Sequence, residues 1–137
     1  MAIAETLRGR HFFITGGTGF LGTALVERVL RTLPESQVTL LIRPGRRATP
    51  MDRAMKEIIR NDCFDRLRAE LGDEFETQMT ARVHAVAGDV SRDLLGLDEA
   101  GLEAMSRCTT IIHSAAAVSF DSPLDQAVQI NLLGPRR

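Results

Sequence analysis

The stretch Thr15-Gly16-Gly17-Thr18-Gly19-Phe20-Leu21-Gly22 constrains this chain more than any other. An apolar run, His11-Phe12-Phe13-Ile14, leads into it, and Ala24-Leu25-Val26 with Val29-Leu30 follows at helical spacing. Strand, glycine turn, helix is the layout of the first unit of a nucleotide-binding α/β sheet. Gly16 lets the chain turn sharply off the strand, Gly19 lets backbone approach a diphosphate, and Gly22 lets the helix pack close to the strand. The first N–H groups of such a helix lack internal partners, so they and the positive end of its dipole face bound phosphates. The spacing G-x-x-G-x-x-G is one residue longer than the commonest dinucleotide fingerprint, and by itself it also fits a turn that binds nothing.

Further elements follow from periodicity. The first helix is expected over residues 20–33, with Leu21, Leu25, Val29 and Leu33 on its inner face and Pro34 ending it. Gln37-Val38-Thr39-Leu40-Leu41-Ile42 reads as a second strand, apolar enough for burial on both faces of a parallel sheet. A carboxylate just after that strand, ~20 residues past the glycines, would bond the adenosine ribose and select NAD. The chain instead offers Arg43-Pro44-Gly45-Arg46-Arg47, and a guanidinium clasps a 2′-phosphate in bidentate fashion, which favours NADP. A solvated basic loop is the alternative, and it suits Arg46 and Arg47 better than Arg43.

Thr49-Pro50-Met51-Asp52 has the pattern of a capped helix start. A charged helix is expected from there through residue 70, with Arg53 near enough to reach the same phosphate. Residues 73–80 read as a polar connection to a third strand, Arg82-Val83-His84-Ala85-Val86-Ala87. Gly88-Asp89-Val90 closes that strand, which places Asp89 to meet an adenine at the carboxyl end of the sheet, or to serve only as a turn residue. Asp98 is expected to cap a helix with Leu102 and Met105 inward. Thr109-Thr110-Ile111-Ile112-His113 is the fourth strand, and the small residues Ser114-Ala115-Ala116 let a nicotinamide ribose approach the backbone there. His113 reads as a general base or, more ordinarily, as a satisfied core histidine. Ser122-Pro123-Leu124-Asp125 repeats the capping pattern, and on its helix Asn131 falls on the face of Leu124, Ala127 and Val128. An inward amide needs a backbone or water partner there.

Composition narrows the classes. A 137-residue chain with 44% hydrophobic and 26% charged residues reads as one globular domain or part of one. A net charge of −1 with interleaved signs carries no nucleic-acid footprint. No apolar run approaches the ~18 residues of a membrane span. Cys63 and Cys108 have neither metal-ligand spacing nor a paired framework, so no metal is expected. They read as reduced thiols of a cytoplasmic protein, and a first strand beginning near residue 11 leaves no room for a signal peptide.

Thr15 to Gly22, Arg43, Gly88-Asp89-Val90, His113-Ser114-Ala115-Ala116 and Asn131-Leu132-Leu133-Gly134 together resemble the extended short-chain dehydrogenase/reductase superfamily. Within it the chain is most similar to fatty acyl-CoA reductases of the male-sterility type and to thioester reductase domains. Cys63-Phe64-Asp65-Arg66-Leu67-Arg68 and residues 114–121 carry that narrower likeness. The resemblance implies a Rossmann-type, doubly wound α/β sheet with strand order 3-2-1-4, and NADPH-dependent reduction of an acyl thioester to aldehyde or alcohol. It implies that Thr15, Gly16, Thr18, Gly19, Phe20, Leu21 and Gly22 hold the diphosphate region. Arg43 and Arg53 would take the 2′-phosphate, Asp89 and Val90 would border adenine, and Ser114, Ala115 and Ala116 would line the nicotinamide side. Asn131 matches the family asparagine that supports an active-site lysine through water.

One departure limits this. The family chemistry uses a Tyr-x-x-x-Lys pair, whereas this sequence has no tyrosine and its only lysine is Lys56. Residues 1–137 are therefore expected to be an incomplete, amino-terminal coenzyme-binding part, inactive by itself. Its fourth strand would be left as an open edge through which two copies dimerise. The same scaffold also serves sugar-nucleotide epimerases and dehydratases, hydroxysteroid-type dehydrogenases, and NADP-sensing modules that do no chemistry.

Overall fold

The computed structural model describes residues 3–137. After a short helix α1 (Ile3–Leu7), strand β1 (His11–Thr15) runs into α2 (Phe20–Thr32), and β2 (Gln37–Ile42) returns beside β1. A chain of short helical pieces follows: α3 (Pro50–Ala54), a π-type turn (Met55–Ile59), α4 (Asp65–Leu71) and α5 (Phe75–Arg82). Strand β3 (Val83–Ala87), α6 (Glu99–Ser106), β4 (Thr110–His113) and α7 (Leu124–Ala127), the last continued by a π-type turn (Val128–Leu132), complete the order. All strand pairings are parallel and the sheet order is β3-β2-β1-β4, as the resemblance implied.

Alternation along the two central strands splits the core. Phe12 and Ile14 of β1, with Val38, Leu40 and Ile42 of β2, join Val26 and Leu30 of α2 and Ile58, Phe64, Phe75 and Met79 of the helical pieces in one large cluster. Phe13, Leu41 and Leu95 form a small cluster on the opposite face, flanked by Met105 of α6. Helices therefore cover both faces, but the α2 face buries far more apolar surface and contributes most of the hydrophobic stabilisation. Each end of the sheet is less covered, and Ile111 of β4 is 59% exposed.

Several expectations need correction. Leu21 is 62% exposed, and the inner face of α2 runs through Gly22, Val26 and Leu30 with Val29 and Leu33. The close approach permitted at Gly22 rotates that i, i+4 row onto the sheet. The single helix expected through residue 70 is broken at Asn61, whose side chain accepts a hydrogen bond from the Cys63 N–H at 3.0 Å and starts a new helical piece. The polar connection is the helix α5, because Phe75 and Met79 at i, i+4 are both buried. Leu102 is 38% exposed, with Gly101 the buried residue of that helix. Ser122 does not cap: α7 begins one residue later than the pattern implied, with Pro123 at the cap position and no capping side chain.

Two expected features are present as read. Thr49 and Asp52 exchange hydrogen bonds in a full capping box, and Asp98 accepts from the Gly101 N–H at 2.8 Å.

Arg82, 7% exposed, ties the helical layer together. Its guanidinium donates to the carbonyl oxygens of Leu30, Leu33 and Ser36 at 2.8–3.0 Å, closing the carboxyl end of α2 with a positive charge. Replacing it leaves buried acceptors unpaired, so Arg82→Met is expected to cost about 3 kcal/mol in urea unfolding, with Arg82→Lys recovering only part of the loss.

Also near the amino ends of the strands, His11 Nε2 bonds Thr39 Oγ1 at 2.8 Å and its ring lies 5.8 Å from that of His84. Burial, then the charges of His84 and Arg107, lower the His11 pKa below its ordinary 6.5. The unfolded chain then takes up this proton more readily than the folded one. Stability from the neutral imidazole is complete above pH 6.5 and drains as pH falls through the lower folded value. His11→Gln is expected to flatten the fall of stability with acid below pH 6.5, measured as urea midpoints at several pH values.

Candidate functional site

The site is built where β1 hands over to α2. Gly16 has φ +72°, and a Cβ on it would lie 2.6 Å from the carbonyl carbon and 2.7 Å from the carbonyl oxygen of Ser114. A Cβ on Gly22 would strike the Gly16 carbonyl, so helix, turn and the exit of β4 meet at backbone distance. Gly19 occupies the cap position of α2 with no side chain to bond the first N–H groups. The Thr23 hydroxyl sits against the carbonyls of Gly17 and Gly19 at 2.8 and 2.9 Å, so it leaves those N–H groups free for an anion.

Thr15 is the joint beneath this turn. Its carbonyl accepts from the Ser114 N–H at 3.2 Å and the Ser114 hydroxyl at 2.7 Å. Its own hydroxyl bonds His113 Nδ1 at 2.9 Å and accepts from the Ala115 N–H at 3.3 Å. His113 is thus a structural partner of the turn, and its Nε2 is buried with no partner among the described residues.

A cleft of about 440 Å³ opens over the carboxyl ends of the strands. Gly16, Thr18 and Gly19 form one wall, and Arg43 and Arg53 stand beside Leu41 and Ile42 at the end of β2. Gly88, Asp89 and Val90 follow from β3, and Ser114, Ala115 and Ala116 from β4. The fold thus gathers residues from the carboxyl ends of all four strands into one crevice at the point where the strand order reverses.

Other predicted residues lie elsewhere. Thr15 and Gly22 are buried beneath the turn, and Phe20 and Leu21 project outward with 98% and 62% exposure. Only their backbone belongs to the helix start. Asn131 is exposed rather than inward, yet it has the expected backbone partner: its Oδ1 accepts from the Ala117 N–H at 2.8 Å and its Nδ2 donates to the Ala117 carbonyl at 2.9 Å. That pair pins the segment after β4 to the π-type turn following α7.

The charges are arranged unevenly. Arg53 donates from Nε and Nη2 to the two oxygens of Glu57 at 2.7 and 2.9 Å, and from Nη1 to the Arg43 carbonyl at 2.5 Å. Burial works to raise the Asp89 pKa, but bonds from the Ser91 hydroxyl and N–H, with the charges of Arg43 and Arg92, outweigh it and hold the carboxyl below its ordinary value. It is an anion at neutral pH. Among the described residues no group of three His, Cys, Asp or Glu side chains is placed to hold a metal ion, and no helix is long and apolar enough to cross a membrane.

Sequence reasoning missed the far wall, Val118, Ser119, Ser122, Gln126 and Ile130, because no local pattern marks residues that only topology brings to a cleft. It also missed Glu57, although the i, i+4 spacing from Arg53 was a legible signal.

Comparison with known proteins agrees with this geometry. Fatty acyl-CoA reductase 1 of Homo sapiens is 35% identical over 139 aligned positions, covering 100% of this chain and 26% of that protein. The chloroplastic fatty acyl-CoA reductase 2 of Arabidopsis thaliana is 32% identical, covering 98% of this chain and 22% of its own length. The chain therefore spans about a quarter of the length of the curated relatives it matches. Among solved structures, the terminal R domain of the myxalamid biosynthetic pathway superposes with a TM-score of 0.70 at 29% identity, over 93% of this chain and 30% of that one. The reductase domain of a non-ribosomal peptide synthetase from Mycobacterium tuberculosis gives 0.58 at 33% identity, over 82% and 26%. The family described as male sterility protein matches residues 14–137, from the last two residues of β1 onward. With its glycine turn, parallel sheet and crevice, the chain belongs to the male sterility protein family of NAD(P)-binding, Rossmann-type domains.

Proposed function

We propose that this chain is the NADPH-binding part of a fatty acyl-CoA or acyl-thioester reductase that converts the thioester to aldehyde or alcohol. The observation that carries the reading is the position of Arg43. It stands where β2 ends, lines the same cleft as the glycine turn, and has no carboxylate beside it in the loop it opens. A hydroxyl-bonding acid there would favour NAD, whereas a guanidinium favours a 2′-phosphate.

The residues divide the coenzyme between them. The N–H groups at the start of α2, with Gly16, Thr18, Gly19 and the backbone of Phe20 and Leu21, receive the diphosphate, and Thr15 and Gly22 keep that turn in shape. Arg43 and Arg53 receive the 2′-phosphate, and Asp89 and Val90 border the adenine. Ser114, Ala115 and Ala116 line the nicotinamide end, and Asn131 steadies them by gripping Ala117. A reduced nicotinamide bound there supplies hydride to the thioester carbonyl carbon. The names of the relatives support an acyl-CoA substrate, and the reductase-domain structures support a reduction.

Arg43→Ala is expected to weaken NADPH binding by about tenfold or more while sparing NADH, since the interaction lost is a hydrogen-bonded charge on the extra phosphate. Equal losses for both coenzymes, measured by titration calorimetry, refute the 2′-phosphate role. For the reaction, the full-length protein carrying this sequence is expected to oxidise NADPH when given a long-chain acyl-CoA. Turnover of a sugar nucleotide in its place overturns the reductase assignment.

A further inference from the structure

Glu57 belongs to no predicted site and lines no part of the coenzyme cleft, yet it holds Arg53, a cleft residue that also bonds the start of the β2 exit loop. Its carboxylate takes Nε and Nη2 of Arg53 side-on, leaving Arg53 Nη1 to donate to the carbonyl of Arg43. The pair is partly shielded, with side-chain exposures of 26% for Arg53 and 37% for Glu57. Three of the five N–H groups of Arg53 are thereby committed, and two remain to face a ligand. The contact on the Arg43 carbonyl ties the first residue of an otherwise exposed loop, 43–49, to the helical layer.

We infer that Glu57 is a positioning residue for coenzyme choice: through Arg53 it fixes the backbone from which Arg43 reaches the 2′-phosphate. The inference rests on the NADPH reading above. It is a geometric claim with an electrostatic rival of opposite sign. Glu57 is an anion beside a cationic site: the hydrogen bond from Arg53 lowers its pKa, burial opposes this, and the charges of Arg53 and Lys56 add to the lowering. If it were only a nearby negative charge, removing that charge would strengthen the pull of Arg43, Arg46, Arg47 and Lys56 on a phosphate. If it positions, removing it frees Arg53 and loosens the loop, and the preference for the extra phosphate falls.

The test measures dissociation constants of NADPH and NADH for the wild-type protein, Glu57→Gln, Arg53→Lys and Arg43→Ala, with circular dichroism as the folding check. Glu57→Gln keeps the shape but breaks the charge-assisted fork, and is expected to lower the NADPH-over-NADH preference by about tenfold, the worth of one hydrogen bond to a charged group. Arg53→Lys keeps the positive charge but cannot grip a carboxylate side-on and a carbonyl together, so it is expected to lower the preference in the same direction. If Glu57→Gln does not fold, Glu57→Asp, which keeps the negative charge but withdraws it by one methylene, takes its place, and a preference that holds there overturns the positioning role. A preference that rises or holds in Glu57→Gln, while Arg43→Ala abolishes it, overturns the positioning role and leaves the NADPH reading intact. A preference untouched by Arg43→Ala overturns that reading, and this inference with it.

Discussion

Backbone contact at Gly16 is the constraint on which the rest depends. With φ at +72° and the Ser114 carbonyl closer than any Cβ allows, the end of β1, the start of α2 and the exit of β4 share a space that fits only glycine. Thr15, the last residue of β1, fastens that strand to the exit of β4 with both its carbonyl and its hydroxyl. The helix cannot choose its own orientation after that. Gly22 lies against the turn, so Val26 and Leu30, one and two helical steps further, go down onto the sheet.

The same joint opens the crevice. The first two crossovers lay their helices on the α2 face, and the connection through α6 crosses to the other, so β1 and β4 diverge above Gly16. The thinner face is secured differently. Leu94 and Leu95 adopt φ of 51° and 57°, a left-handed pair that branched-chain sterics disfavour. Burial of Leu95 in the small cluster offsets that strain, and the Leu95 carbonyl accepts from the Asp89 N–H at 2.7 Å. Gly88 leaves room for this approach, because a Cβ there would meet the Leu95 carbonyl at 2.6 Å. Local strain therefore fixes the loop that carries Asp89 to the cleft rim.

What the sequence made legible is what repeats locally. The alternation and apolar runs of β1 and β2, the glycine spacing, and the Thr49–Asp52 and Asp98 caps all carry their own signal, and the parallel order followed from the strand–helix alternation together with the family likeness. What was hidden depends on partners distant in the chain. Helix α5 shows only Phe75 and Met79 as apolar anchors in eight residues, too short a stripe to outweigh its polar composition until the α2 face lies against it. Asn61 breaks a helix that charge spacing favours, through a side-chain bond no periodicity records. Asn131 shares a helical face with apolar residues, but the π-type turn re-aims it toward Ala117. Arg82 reads as the first residue of a strand, and its three carbonyl acceptors lie 46 to 52 positions away.

At the cleft, charge and geometry are divided between the two arginines. Arg53 pairs its charge with Glu57 and commits one further N–H to a backbone carbonyl, so the pair is close to neutral at long range while two N–H groups stay uncommitted. Arg43 forms no ion pair at contact distance among the described residues; Asp89, whose carboxyl feels the Arg43 charge, is hydrogen-bonded by Ser91 instead. An exposed ion pair contributes little to stability, which makes the Arg53–Glu57 fork an inefficient device for holding a fold together. As a device for holding a loop in register it is efficient, because a planar bidentate pair fixes direction as well as distance. One guanidinium thus supplies direction and the other supplies net charge. If the site reads a single additional phosphate on an otherwise identical coenzyme, as proposed, it needs both, since net charge alone attracts any anion and direction alone binds none.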